Sequence, residues 1–257
     1  MSVLRSRDNP RVKHWARLAT DGRYRRKERR ALIEGPHLLA ALLERGLRPV
    51  EVLVKEGAQE SSEIRVLVRR SGLEPVALPE KLFNSILDAE TPQGIAAEIE
   101  IPAGAAPGGD SVFLEGIQDA GNVGAIIRSA AAFGIGTVVL DGRCADAWSP
   151  KVLRAGMGGH FRLAIRSHSS LAGELESFAG KLLATVAREG TSLGKADLSG
   201  RLGWLFGSEG KGLSAAALAE VDLKVSIPTA VGTESLNVAA AAAVCFYAGA
   251  NRLGAGS

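Results

Sequence analysis

Cysteine and histidine are scarce in this chain of 257 residues, and the scarcity removes several chemistries. The two cysteines, Cys144 and Cys245, lie far apart, and neither has a Cys or His neighbour at metal-ligand spacing. The four histidines are scattered. No metal site and no paired nucleophile is expected, and the cysteine usage fits a reduced, cytoplasmic compartment. Long apolar runs are also missing. The longest, residues 238–250, is rich in Ala and too short to span a bilayer. The basic N-terminus has no apolar stretch of the kind a secretory signal needs. Gly207-Ser-Glu-Gly-Lys-Gly212 is not a phosphate loop, because its Gly-Lys pair comes too soon and Gly212 stands where a hydroxyl is required. No G-x-G-x-x-G follows the first strand of either half, which argues against an NAD-dependent oxidoreductase.

What is present supports a folded protein with an anionic partner. Hydrophobic residues make up 46% and charged residues 23%, enough for a sizeable core. The net charge is +3, but residues 1–30 hold eleven Lys/Arg against three Asp/Glu. A basic end on a near-neutral body suits nucleic acid, and a solvated helix face is the plainer alternative.

The stretch 101–110, rich in Pro, Gly and Ala, reads as a linker between a domain at 1–100 and one at 111–257. The first half alternates helices at 10–19, 37–45, 63–71 and 80–87 with strands at 31–34, 50–54, 75–78 and 94–101. Residues 20–24 read as a loop leading into the cluster Arg25-Arg-Lys-Glu-Arg-Arg30. In the second half, apolar runs at 112–116, 137–140, 163–165, 182–187, 204–206 and 223–227 alternate with helices at 122–133, 150–155, 170–178, 214–219 and 235–253. That pattern predicts an α/β fold with a parallel sheet covered on both faces, and ligands bind such sheets at the carboxyl ends of the strands.

Three polar, glycine-rich segments each follow a strand in this half. They are Asp119-Ala-Gly-Asn-Val-Gly-Ala-Ile-Ile-Arg-Ser129, Phe206-Gly-Ser-Glu-Gly-Lys-Gly-Leu213 and Ile227-Pro-Thr-Ala-Val-Gly-Thr-Glu-Ser-Leu-Asn-Val-Ala239. Small loops at strand ends let backbone groups approach a ligand closely. Asn122 and Ser235 stand where each can cap the helix that follows. In order and content the three segments resemble the motifs of the SpoU (TrmH) family of RNA 2′-O-ribose methyltransferases, within the SPOUT superfamily. The resemblance implies a C-terminal SPOUT domain with a parallel sheet and a deep trefoil knot, S-adenosylmethionine as cofactor, and a homodimer. Asn9-Pro-Arg-Val-Lys13 and Ala31-Leu-Ile-Glu-Gly-Pro-His-Leu-Leu39 resemble the family's smaller, L30e-like RNA-binding domain. Together with Ser149-Pro-Lys-Val-Leu-Arg154 they look more like ribosomal-RNA members than tRNA members. The alternatives are a tRNA ribose methyltransferase and a non-catalytic RNA-binding protein that kept the fold.

Carried over position by position, the resemblance implies cofactor contacts at Gly207, Ile227 and Leu236; the strand end Thr185-Val186-Ala187 is read separately as a further part of the site. It places the family's functional polar residues at Asn122, Arg128, Glu209, Ser235 and Asn237. Arg128 is then the catalytic residue, and Asn122 and Glu209 order loops and orient it. A guanidinium is always protonated, so it holds a phosphate and stabilises the developing alkoxide more readily than it takes a proton. Capping is the structural alternative for the other four. Arg23, Arg25, Arg26, Lys27, Arg29 and Arg30 are candidate phosphate contacts. Two departures from the family pattern are Thr229, where Met is frequent, and the turn Ala155-Gly-Met-Gly-Gly159, where a Ser is usual.

Overall fold

The computed structural model describes residues 2–89, 91–103, 108–168, 170–230, 232 and 235–251. It divides into two compact units, residues 1–102 with 146–161 and residues 103–145 with 162–257.

In the first unit, β1 (Ser2–Val3), β2 (Arg30–Glu34), β3 (Glu51–Lys55), β4 (Val76–Leu78) and β5 (Ile95–Glu100) form a mixed sheet of order β1-β4-β3-β5-β2. β5 runs antiparallel to both β2 and β3. Helix α1 (Pro10–Thr20) begins where Asn9 Oδ1 accepts from the Arg11 N–H at 2.9 Å and Pro10 fills the first turn. It buries Val12, Trp15, Leu18 and Ala19, which recur at helical spacing. Burial of the Glu98 carboxylate is compensated by Trp15 Nε1 at 3.1 Å and His14 Nε2 at 3.2 Å. Residues 20–24 are not a loop: Thr20 ends α1, and 22–24 open α2 (Gly22–Glu28), which the basic cluster continues and which is capped by Asp21 and ended by Arg29 in a left-handed conformation (φ 52°). Helices α3 (Pro36–Glu44), α4 (Ser62–Ser71) and α5 (Glu80–Ile86) complete the helices of 1–102.

The second unit opens with β6 (Ser111–Glu115), α6 (Ala120–Ala132) and β7 (Thr137–Asp141). The chain then passes through α7 (Pro150–Gly156), whose segment, 146–161, belongs to the first unit although 111–257 reads as one domain in the sequence. It returns at β8 (Ala164–His168) and continues through α8 (Ala172–Glu176), β9 (Lys181–Thr185), β10 (Thr191–Ser192), β11 (Leu202–Gly207), α9 (Ala215–Ala219), β12 (Leu223–Ser226) and α10 (Val238–Asn251). Seven strands make a sheet of order β10-β12-β9-β11-β6-β7-β8, with every pair parallel. The central strands are buried along nearly their whole length, as near-continuous apolar runs require. Among the described residues, no helix is long and apolar enough to cross a membrane.

Candidate active site

The ends of β9, β11 and β12 meet at a pocket of about 200 Å³. Thr185, Val186, Gly207, Ile227, Ser235 and Leu236 line it, so the positions implied as cofactor contacts lie together although they are far apart in sequence. Phe206, Ser208, Thr229, Val238 and Ala241 complete much of the wall. Apart from Thr229, sequence reading passed these over, although all but Ala241 lie within the motifs.

Gly207 has a reason of its own to lack a side chain. A Cβ there would stand 2.1 Å from the Gly212 carbonyl carbon and 2.4 Å from the Leu213 nitrogen. The Gly212 N–H donates to the Ser208 carbonyl at 2.8 Å, folding the loop back onto the strand end. The glycine therefore fits the loop itself before any ligand is considered.

The three motif segments are joined by side-chain amides. Asn122 Nδ2 donates to Glu209 Oε1 at 2.8 Å. Asn237 Nδ2 donates to Asn122 Oδ1 at 2.9 Å and to Glu209 Oε1 at 3.0 Å. Asn237 Oδ1 accepts from the Ala239 and Ala240 N–H groups at 2.9 and 3.3 Å. The cap of α10 is therefore Asn237 and not Ser235, and α6 is capped by Asp119, whose Oδ1 accepts from the Asn122 N–H at 2.8 Å. The α10 cap falls later in the chain than spacing alone indicated, and the α6 cap earlier, because the helices start at Val238 and Ala120.

Arg128 stands apart from this network. The turn of α6 buries Val123, Ile126, Ile127 and Ala130 and leaves Arg128 exposed. Its apolar sequence neighbours do not enclose it, because helical periodicity turns them the other way. Its side chain has no hydrogen bond or ion pair among the described residues, and Asn122 and Glu209 bond each other and Asn237 instead of orienting it. Behind the pocket wall, the Cys245 thiol lies 3.8 Å from Thr185 Oγ1, and burial pushes its pKa up to about 12, so it stays protonated.

In the first unit the basic residues divide. Arg25 is 4% exposed and is not available to phosphate. Its Nε and Nη2 donate to Asp146 Oδ2 at 2.9 and 2.7 Å, and Nη1 donates to the Leu18 carbonyl at 2.6 Å. Arg30 is half-buried in β2 and paired with Glu100 at 3.1 Å. Arg23, Arg26, Lys27 and Arg29 are exposed.

Residues 111–247 match the SpoU rRNA methylase family, and residues 9–97 match the MRM3-like substrate binding domain. The chain belongs to the SpoU rRNA methylase family. It is 34% identical over 96% of its length, and 98% of the relative's, to the 23S rRNA (guanosine(2553)-2′-O)-methyltransferase RlmP of Bacillus subtilis. Among solved structures it resembles a TrmH-family RNA methyltransferase, itself described as putative, from Porphyromonas gingivalis, with 31% identity, a TM-score of 0.83 and 95% and 98% of the two chains covered. It also resembles the SpoU methyltransferase AviRb from Streptomyces viridochromogenes in complex with AdoMet, with 26% identity, a TM-score of 0.83 and 96% and 100% covered.

This SpoU protein is an RNA 2′-O-methyltransferase and uses S-adenosylmethionine. The pocket residues fit that cofactor. Val186, Ile227 and Leu236 offer apolar surface for an adenine, the Thr185 and Ser235 hydroxyls offer polar contacts, and Gly207 leaves the strand end bare.

Proposed function

We propose that the RNA is ribosomal, of the 23S type, and not tRNA. What carries this reading is the 34% identity to a 23S rRNA methyltransferase along nearly the whole of both chains, the RNA-binding half included. In this reading the second unit, within 111–257 but without 146–161, holds the methyltransferase machinery, including the knot that the resemblance implies. Residues 1–100 hold the RNA, with Arg23, Arg26, Lys27 and Arg29 as the phosphate contacts and 101–110 as the linker.

The cofactor supplies an activated methyl group on a sulfonium, and no metal is needed. Thr185, Val186, Gly207, Ile227 and Leu236 bind it. Arg128 holds the phosphate beside the target ribose and stabilises the alkoxide as it develops while a phosphate oxygen takes the hydroxyl proton, a task suited to an exposed guanidinium whose side chain has no partner among the described residues. Asn122, Glu209 and Asn237 fix the loops around the pocket, and Ser235 positions substrate or loop at its rim. Arg128 does not line the pocket of its own chain. The enzyme acts in the cytoplasm as a homodimer, in which Arg128 is free to serve either copy's pocket. Val244 and Tyr247, 41% and 58% exposed on α10, supply an apolar surface that such pairing would cover.

The test is methylation of an unmodified 23S rRNA transcript and of bulk unmodified tRNA with labelled S-adenosylmethionine, followed by mapping of the methylated ribose. Incorporation into tRNA alone would overturn the ribosomal reading.

A further inference from the structure

Two sequence motifs remain without a task in the methyl-transfer site, the segments 31–39 and 149–154. Within the first unit they converge on a second pocket, of about 670 Å³, a size usual for small-molecule sites. Glu34 and His37 come from the first motif and Arg154 from the second, with Asp88, Gln93 and Met157 beside them.

The polar groups here are unevenly satisfied. The Glu34 side chain is 7% exposed, and its Oε2 has no hydrogen-bond partner among the described residues. The nearest cation, Arg154 Nη1, stays 3.5 Å away and is itself without a hydrogen bond, while Arg154 Nη2 donates to Asp88 Oδ2 at 2.9 Å. Burial pushes the Glu34 carboxyl up, opposed by the Arg154 guanidinium and reinforced by Asp88. A buried carboxylate oxygen without a donor is costly, and a ligand that brings N–H groups would offset that cost. The backbone is shaped around the same wall. Gly35 has φ 92°, and a Cβ on it would meet Gln93 Oε1 at 2.7 Å. Met157 adopts φ 47° and leaves its side chain 43% exposed, an apolar surface beside the polar groups.

We propose that this pocket takes an unpaired guanine base of the substrate RNA, with Glu34 accepting from the adjacent N1–H and N2–H groups of its Watson–Crick edge. Guanine alone among the four bases presents two neighbouring donors there. Adenine and cytosine place an acceptor beside their amine, and uracil flanks one N–H with two carbonyls. Arg154 stands ready for the guanine O6, and Met157 covers a face of the ring, as apolar side chains do for bases held out of the stack. The proposal rests on RNA being the substrate and adds a sequence preference to it.

The chain has two methionines, Met1 and Met157, so methyl-labelled methionine gives a direct probe of this pocket in the full-length protein. Guanosine 5′-monophosphate is expected to shift the Met157 methyl resonance saturably. Its half-saturation should fall at least about tenfold below those of the adenosine, cytidine and uridine monophosphates, with inosine monophosphate, which lacks the 2-amino group, between. Glu34→Gln should erase the preference. A silent Met157, an equal response to all four nucleotides, or a preference that survives in folded Glu34→Gln would each overturn the proposal. The parent titration decides it even if that variant does not fold. S-adenosylmethionine binding and ribose methylation are measured on the same preparation. Active methylation beside a silent Met157 sinks only the guanine pocket. A guanine response without methylation sinks only the reading of the catalytic site.

Discussion

Asn237 donates to Asn122 across 2.9 Å although 115 positions separate them in the chain. One amide ties the start of α10 to the start of α6, and its other end caps α10. This makes separable predictions. Asn237→Ala should lose the cap and the bridge together, at about 1 kcal/mol for the cap alone. Asn237→Asp keeps an oxygen for the cap but sets a carboxylate against Glu209. Its methylation rate at pH 7.5 should therefore fall below that of the parent, because an acceptor replaces the amide donor to Asn122 and Glu209. A parent-like rate in single-turnover assays would show that the bridge has no part in the reaction.

Arg128→Lys keeps the charge and loses the planar fork. The chemical step should slow on the order of 100-fold or more, with S-adenosylmethionine affinity unchanged because Arg128 does not line the pocket. Single-turnover methylation with calorimetry on the same preparation reads both. A rate within a few-fold of the parent removes Arg128 from the chemistry.

Gly207→Ala is expected to cost stability as well as cofactor binding, because the added methyl meets backbone at 2.1 Å and not merely ligand space. The melting temperature of the cofactor-free variant should drop by several degrees, about what a loss of 1–2 kcal/mol produces. An unshifted melting curve with weakened cofactor binding would return the glycine to a purely ligand-facing role.

The arginines of α2 and its cap should separate by burial. Changing Arg23, Arg26 and Arg29 to Glu should weaken RNA binding and flatten its dependence on salt, since fewer counterions are released. Arg25→Ala should instead cost about 3 kcal/mol of folding stability, because it strips the partner from the part-buried Asp146. Filter binding across a salt series and urea unfolding distinguish the two classes.

His160 gives a pH signature. It is buried, its Nε2 donates to the Ala147 carbonyl at 2.8 Å, and burial lowers its pKa to about 4. The folded state thus keeps a neutral ring while the unfolded chain takes up a proton near pH 6.5. The associated stability is fully present above about 6.5 and is lost as pH falls towards 4, by up to about 3 kcal/mol. Urea unfolding of the parent and of His160→Gln at pH 7.5 and 5 should show the smaller loss in the variant.

The sheet of the second unit was legible because its strands are apolar runs, β6, β7 and β9 each beside a glycine, and the pocket because polar, glycine-bearing loops follow β11 and β12. Helix α2 was hidden, since a run of charges carries no apolar stripe and the side chain it buries is Arg25. β1 and β10 are two residues each, too short to show alternation. The amide network was invisible because its members meet only through the fold, and capping rules could not choose Asn237 over Ser235 without knowing where α10 begins.

The buried Arg25 carries a last implication for how this protein can be taken apart. Its counter-charge, Asp146, arrives more than a hundred positions later, after β6, α6 and β7 have been laid down. A nascent chain that has emerged only as far as residue 102 holds the Arg25 guanidinium without its acid, so the first unit to begin cannot be completed until the segment 146–161 has also been made. For the same reason, exchange of the first unit between relatives needs two transplanted pieces, and a splice between residues 101 and 110 alone would separate a cation from the residue that neutralises it.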